Sequence, residues 1–208
     1  MAPSLSQLYR RARYGRPIIV VSGLPRSGTS LMMQMLEAGG LEILTDRIRT
    51  ADESNPQGYY EVERVKELDK GGDPSWLKES KGKAIKIIAF LLRHLPDTLN
   101  YRVIFMQRDL HEIVVSQNKM LVQRGEKADT DDDQVLDAFK QHLLRTRALL
   151  TSRECFERLE VSYNEILEAP AAQAKRVSDF LGGALDVESM AAAVNPQLYR
   201  NRAQRAAD

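Results

Sequence analysis

Hydrophobic and polar positions follow two rhythms along the chain. Continuous apolar runs at Ile18 to Val21, at the start of "KAIKIIAFLL" (Lys83 to Leu92), in "YRVIFMQRD" (Tyr101 to Asp109) and at Leu159 to Tyr163 read as strands. Between them apolar residues recur at helical spacing. Leu31, Met32, Met35 and Leu36 do so until Gly39-Gly40 stops the helix. Asp109, with Glu112 three residues later, resembles a capping box opening a helix through Met120. Further helices are predicted at Gln134 to Leu150 and Ala171 to Leu181, the latter stopped by Gly182-Gly183, while Pro96 ends the segment after "KAIKIIAFLL". Strands alternating with helices, uninterrupted by repeats or low-complexity linkers, predict an α/β fold: a P-loop-like parallel sheet flanked by helices.

At 208 residues, 43% of them hydrophobic, the chain suits a single domain (1–208) in which residues 1–16 form a basic N-terminal extension. That extension, "SLSQLYRRARYGR", has four arginines and no acid; it reads as a solvated basic helix and loosely imitates an organelle presequence. Overall charge is nearly balanced, 30 Lys plus Arg against 29 Asp plus Glu, so bulk attraction to nucleic acid or membrane is not implied and any anion site must be local. The single cysteine, Cys155, excludes an internal disulfide and suits a reducing compartment. No apolar run approaches the roughly 20 residues needed to span a bilayer, and a signal-peptide core is absent, so the expected location is cytoplasmic. "DTDDD" at 129 to 133 reads as a solvated loop or helix start rather than a metal cluster, and no metal is expected.

The stretch that carries chemistry is "GLPRSGTS", Gly23 to Ser30, between the first strand and the first confident helix. Backbone N–H groups after the turn and the helix N-terminus make a cradle for a phosphate. Arg26 adds a charged fork of donors; Ser27, Thr29 and Ser30 add hydroxyls around Gly28. The spacing is that of a Walker loop, except that Thr29 stands where a nucleotide triphosphatase needs lysine to reach the β- and γ-phosphates. A second basic element, "QRDLHEIVVSQNKML", puts Arg108 at a strand end and Ser116 eight residues later, about two helical turns on.

With both elements the chain resembles the sulfotransferase superfamily, whose members use 3′-phosphoadenosine 5′-phosphosulfate as sulfuryl donor. The resemblance implies that the Gly23–Ser30 loop holds the 5′-phosphosulfate and that Arg108 and Ser116 hold the 3′-phosphate. "VSYNEILEAP" followed by "VSDFLG" is similar to a family segment that sets a tyrosine near the adenine, here Tyr163, with Asn164 where an acid is common. "NPQGYYE" and "LYRNR" look most like the bacterial branch. Animal cytosolic members carry Lys-Thr-His on the strand equivalent to "AIKII"; here Ile87 and Ile88 follow Lys86, so the usual catalytic histidine is absent. The family's glycine-rich C-terminal phosphate motif is also missing, leaving Arg200 and Arg202 as its substitutes.

Sulfuryl transfer requires stabilisation of charge on the leaving phosphate and removal of the acceptor's proton. Arg26, backbone N–H groups and Lys86 suit the first task. For the second, Glu61 in "SNPQGYYE" is favoured, with Glu53, His94 and His111 as alternatives. Family members manage without Mg²⁺, in keeping with Thr29. The expected acceptor is a small molecule or carbohydrate bearing a hydroxyl or amine, bound by variable loops around residues 41 to 80 and 121 to 135. A P-loop kinase or nucleotide hydrolase, and a nucleotide-binding protein without chemistry, are the competing classes.

Overall fold

Strand β1, Ile18–Gly23, is buried along its whole length, and the rest of the molecule is arranged around it. The computed structural model describes residues 4–46, 48, 58–123, 125 and 131–195. Three further strands, β2 (Ala84–Lys86), β3 (Tyr101–Gln107) and β4 (Phe156–Ser162), complete a sheet of order β2-β1-β3-β4 in which every pairing is parallel. Side chains alternate across it. Ile18, Val20, Val103 and Phe105 enter one core with Leu77, Leu92 and Leu150, while Ile19, Val21, Ile104 and Met106 enter another with Met32, Met35, Leu36 and Val177. Burial on both faces explains why β1 and β3 read as unbroken apolar runs.

The helices are α1 (Leu5–Tyr14), α2 (Thr29–Ala38), α3 (Leu110–Gln123), α4 (Asp132–Ser152), α5 (Tyr163–Glu168), α6 (Pro170–Leu181) and α7 (Val187–Ala192). Three 3₁₀ segments, Glu63–Lys70, Pro74–Ser80 and Ala89–His94, cover the first core. The basic N-terminal stretch is helical as expected, and none of its residues is buried.

Several boundaries differ from expectation. The last strand begins at Phe156, not Leu159, because β4 is an edge strand whose early polar residues are paired rather than solvated: Arg102 Nε lies 3.3 Å from Glu157 Oε2. Tyr163 opens α5 instead of closing β4. Ser162 caps that helix by accepting from the Glu165 N–H at 3.4 Å, and Ser-x-x-Glu is itself a helix-start signal. The stretch after Glu61 forms 3₁₀ turns, for which no helical period is visible in the sequence. Asp131 to Asp133 start α4, with Asp131 accepting from the Asp133 N–H; Asp129 lies outside the described residues.

Chain direction decides where ligands can bind. From β1 the chain proceeds to β2 on one side, and β3 with β4 lie on the other, so the order reverses between β1 and β3. In open parallel sheets the crevice at such a point, at the carboxyl ends of the strands, is the ligand site. The loop after β1 and the Arg108 turn after β3 both emerge there.

Candidate active site

The loop leaving β1 is shaped by two glycines. A Cβ on Gly23 would approach the Met106 carbonyl to 2.8 Å, so the turn can lie this close to β3 only without a side chain. Ser27 then closes the turn, donating from its N–H (3.2 Å) and from its Oγ (2.7 Å) to the Leu24 carbonyl. Gly28 sits in the left-handed region (φ 92°, ψ 16°) as N-cap of α2, where it offers no side-chain cap, and a Cβ there would run into the Tyr163 ring. Replacing Gly28 by alanine should therefore cost more than the roughly 1–2 kcal/mol of a left-handed non-glycine residue. Gly182→Ala isolates the backbone cost, since φ there is 117° and no atom of the described residues lies within 4 Å of an added Cβ. Equal losses for the two variants in denaturant titration would mean that the ring yields freely.

Arg26 is also left-handed, at φ 68°, a conformation uncommon for arginine that turns its side chain toward α3. Its Nε donates to Ser116 Oγ at 3.0 Å, and Arg108 Nη1 donates to the Arg26 carbonyl at 3.1 Å. The two basic elements are thus one hydrogen-bonded unit. Arg108 Nε also donates to Glu112 Oε2 at 2.9 Å, in a pair whose side chains are only 7% and 3% exposed, and its guanidinium lies 4.6 Å over the Tyr163 ring. Tyr163 accordingly separates Gly28 from Arg108. Burial raises its phenol pKa, against the opposing pull of Arg108, so the hydroxyl stays neutral.

The second group lies where β2 ends. Lys86, paired in register with Val21, is buried, and its Nζ donates to the Tyr59 carbonyl and to Ser30 Oγ (3.4 Å), 3.6 Å from Glu61 Oε1. Glu61 is held through its backbone: the Thr45 hydroxyl and the Asp46 N–H both donate to its carbonyl, at 3.1 and 3.2 Å. Tyr60 between them has φ 51° and donates to Glu37 Oε2 at 2.6 Å, fixing this segment to α2. Thr29 is buried in the first turn of α2.

Sequence-predicted residues therefore fall into two clusters flanking the start of α2: Arg26, Ser116, Arg108 and Tyr163 in one, Lys86, Ser30 and Glu61 in the other. Ser27 braces the loop. His94 accepts from Arg93 Nε at 2.9 Å, and His111 is exposed in the first turn of α3. Glu53, Arg200 and Arg202 lie outside the described residues. Glu112 was legible only as a capping residue. Its N–H does bond Asp109 Oδ1 at 3.1 Å, but its carboxylate turns to Arg108, four residues back in the turn that leads into α3. Among the described residues no group of three or more His, Cys, Asp or Glu could hold a metal ion, and no helix is long and apolar enough to cross a membrane.

A family model for the sulfotransferase domain matches residues 16–201. The chain belongs to the sulfotransferase family. Its members' reaction class makes it a transferase, and the match starts just after α1. A search of curated proteins gave no match. Solved structures similar to this sulfotransferase include the sulfotransferase domain from the curacin biosynthetic pathway (14% identity, TM-score 0.48, covering 86% of this chain and 83% of that one). Another is the sulfotransferase domain of the Synechococcus PCC 7002 olefin synthase (16%, 0.49, 84% and 75%). A third is retinol dehydratase in complex with androsterone and inactive cofactor PAP (15%, 0.48, 90% and 67%).

Proposed function

We propose that this chain moves a sulfuryl group from 3′-phosphoadenosine 5′-phosphosulfate to a hydroxyl or amine on a small molecule or carbohydrate, as one domain and without a metal. The observation that carries the reading is the Arg26–Ser116 hydrogen bond, which joins the loop after β1 to the Arg108 element at the switch point of the sheet. A nucleotide with phosphates at both its 3′ and 5′ positions is the ligand that two adjoining basic elements of this kind suit. The residues fit it: the N-cap of α2, Gly28, has no side chain to cap the helix, so the first-turn N–H groups suit a phosphate, and Arg26 brings a guanidinium beside them.

When bound, the donor supplies an activated sulfuryl group on a phosphate leaving group. Arg26, Gly28, Thr29 and Ser30 hold the 5′-phosphosulfate end at the start of α2. Arg108 and Ser116 hold the 3′-phosphate; a serine hydroxyl that accepts from Arg26 keeps its own proton to donate. Tyr163 fixes the spacing between the elements and lies by the adenine, with Arg200 and Arg202 completing the phosphate contacts. Lys86 supports Ser30 and stabilises charge growing at the leaving oxygen. Glu61, fixed beside Lys86, takes the acceptor's proton.

Calorimetry with adenosine 3′,5′-bisphosphate is the direct test. Binding should need no Mg²⁺, and Arg26→Ala should weaken it by roughly 1.5–3 kcal/mol, the worth of a charge-assisted contact. A preference for Mg²⁺ with ATP would favour a kinase or hydrolase, and wild-type affinity in Arg26→Ala would remove that residue from the site.

A further inference from the structure

Helix α1 packs with its faces reversed. At about 100° per residue, Gln7, Arg10 and Tyr14 share the side that meets the body, and they are the half-buried residues of the helix. Polar contacts hold them: Gln7 Nε2 donates to Glu157 Oε1 and Arg10 Nε to the Glu154 carbonyl, both at 2.9 Å. Leu5, Leu8, Tyr9 and Ala12, at i, i+3, i+4 and i+7, make an apolar stripe on the opposite side, where the first three are 86%, 48% and 51% exposed. An ordinary surface helix buries such a stripe and solvates its polar face.

Charge indicates what covers the stripe. Arg11 and Arg13 flank it, Arg16 follows the helix, and α1 contains no acid. A cavity of about 290 Å³, at the N-terminal ends of β1 and β3 and so opposite the candidate active site, is lined by Leu8, Arg10, Arg11 and Arg16, and by Glu157, whose carboxylate is paired with Arg102 and accepts from Gln7. Within this region Arg10 Nη1 is buried without a hydrogen-bond partner among the described residues. A second copy of the chain would set these arginines against one another. A bilayer rich in anionic lipid offers both an apolar layer for the stripe and phosphates for the guanidinium groups.

We propose that α1 is a docking surface for anionic membrane, with Leu5, Leu8, Tyr9 and Ala12 entering the interface and Arg11, Arg13 and Arg16 engaging lipid phosphates, while the cavity beside Arg10 seats a headgroup. The inference is independent of the assignment of the donor. Co-sedimentation of the full chain with phosphatidylcholine vesicles, with and without phosphatidylglycerol, tests it. Partitioning should rise about tenfold or more with the anionic lipid and fall with added salt. Leu5→Glu should abolish it and Arg11→Ala/Arg13→Ala should weaken it, each leaving the melting temperature unchanged because these side chains are exposed. Three results would overturn the proposal: no preference for anionic vesicles, undiminished partitioning of the leucine variant, or a lowered melting temperature in that variant. A concentration-dependent dimer lost in the leucine variant would also overturn it, assigning the stripe to contact between copies.

Discussion

Arg108→Ala should lower the free energy of unfolding by about 3–5 kcal/mol, because it removes the guanidinium paired with the Glu112 carboxylate, which is only 3% exposed. The same variant should weaken adenosine 3′,5′-bisphosphate far more than adenosine 5′-monophosphate, since only the bisphosphate carries the group that Arg108 is proposed to hold. The two effects need separating. Arg108 donates to Glu112 and to the Arg26 carbonyl, so its loss loosens the first loop as well as the second. Arg108→Ala/Glu112→Gln removes the buried carboxylate's charge as well and should recover much of the stability while keeping the selective loss of bisphosphate affinity. Denaturant titration and calorimetry on the single and double variants measure both quantities. If the double variant binds the bisphosphate as wild type does, Arg108 is a structural arginine; if the single variant unfolds like wild type, the Arg108–Glu112 pair is not effectively buried.

What the sequence made legible follows from how local each signal is. β1 and β3 are covered on both faces, so their apolar runs are unbroken, and "GLPRSGTS" packs a strand end, turn and helix start into eight residues. By contrast β4 lies at an edge with Glu157, Arg158 and Glu160 in it, and a strand that solvates or pairs such residues looks like a loop. The 3₁₀ segments repeat every three residues over short runs, leaving no 3.6-residue period to find. In the site, Arg26's left-handed backbone was invisible because nothing in an arginine codes for positive φ, yet that conformation accompanies its reach to Ser116. The meeting of Glu61 with Lys86 was equally hidden. It depends on β2 pairing with β1 and on the Thr45 and Asp46 contacts that return the chain to Glu61, all of them formed across long stretches of sequence.

That meeting carries the other large expected effect: Glu61→Gln should leave bisphosphate affinity nearly unchanged but lower turnover by about 10²-fold or more, the usual contribution of a positioned general base. Glutamine keeps the shape and the hydrogen-bonding reach of glutamate while removing its basicity. Lys86 retains the Tyr59 carbonyl and Ser30 Oγ in the variant, so the fold around β2 has no cause to change. The loss should therefore fall on kcat rather than on donor affinity, a split that a merely structural role would not produce. Glu53→Gln and His94→Asn belong in the same assay, with bisphosphate release as readout across a panel of hydroxyl and amine acceptors. His94, bonded to Arg93, should tolerate asparagine. Wild-type turnover in Glu61→Gln alongside collapse in Glu53→Gln would transfer the role of base to Glu53, with Glu61 left as the partner that steadies Lys86. Absence of turnover by wild type across the whole panel, with bisphosphate binding intact, would instead favour a nucleotide-binding protein without chemistry, because the donor elements around Arg26 and Arg108 can act as a binding site without a base.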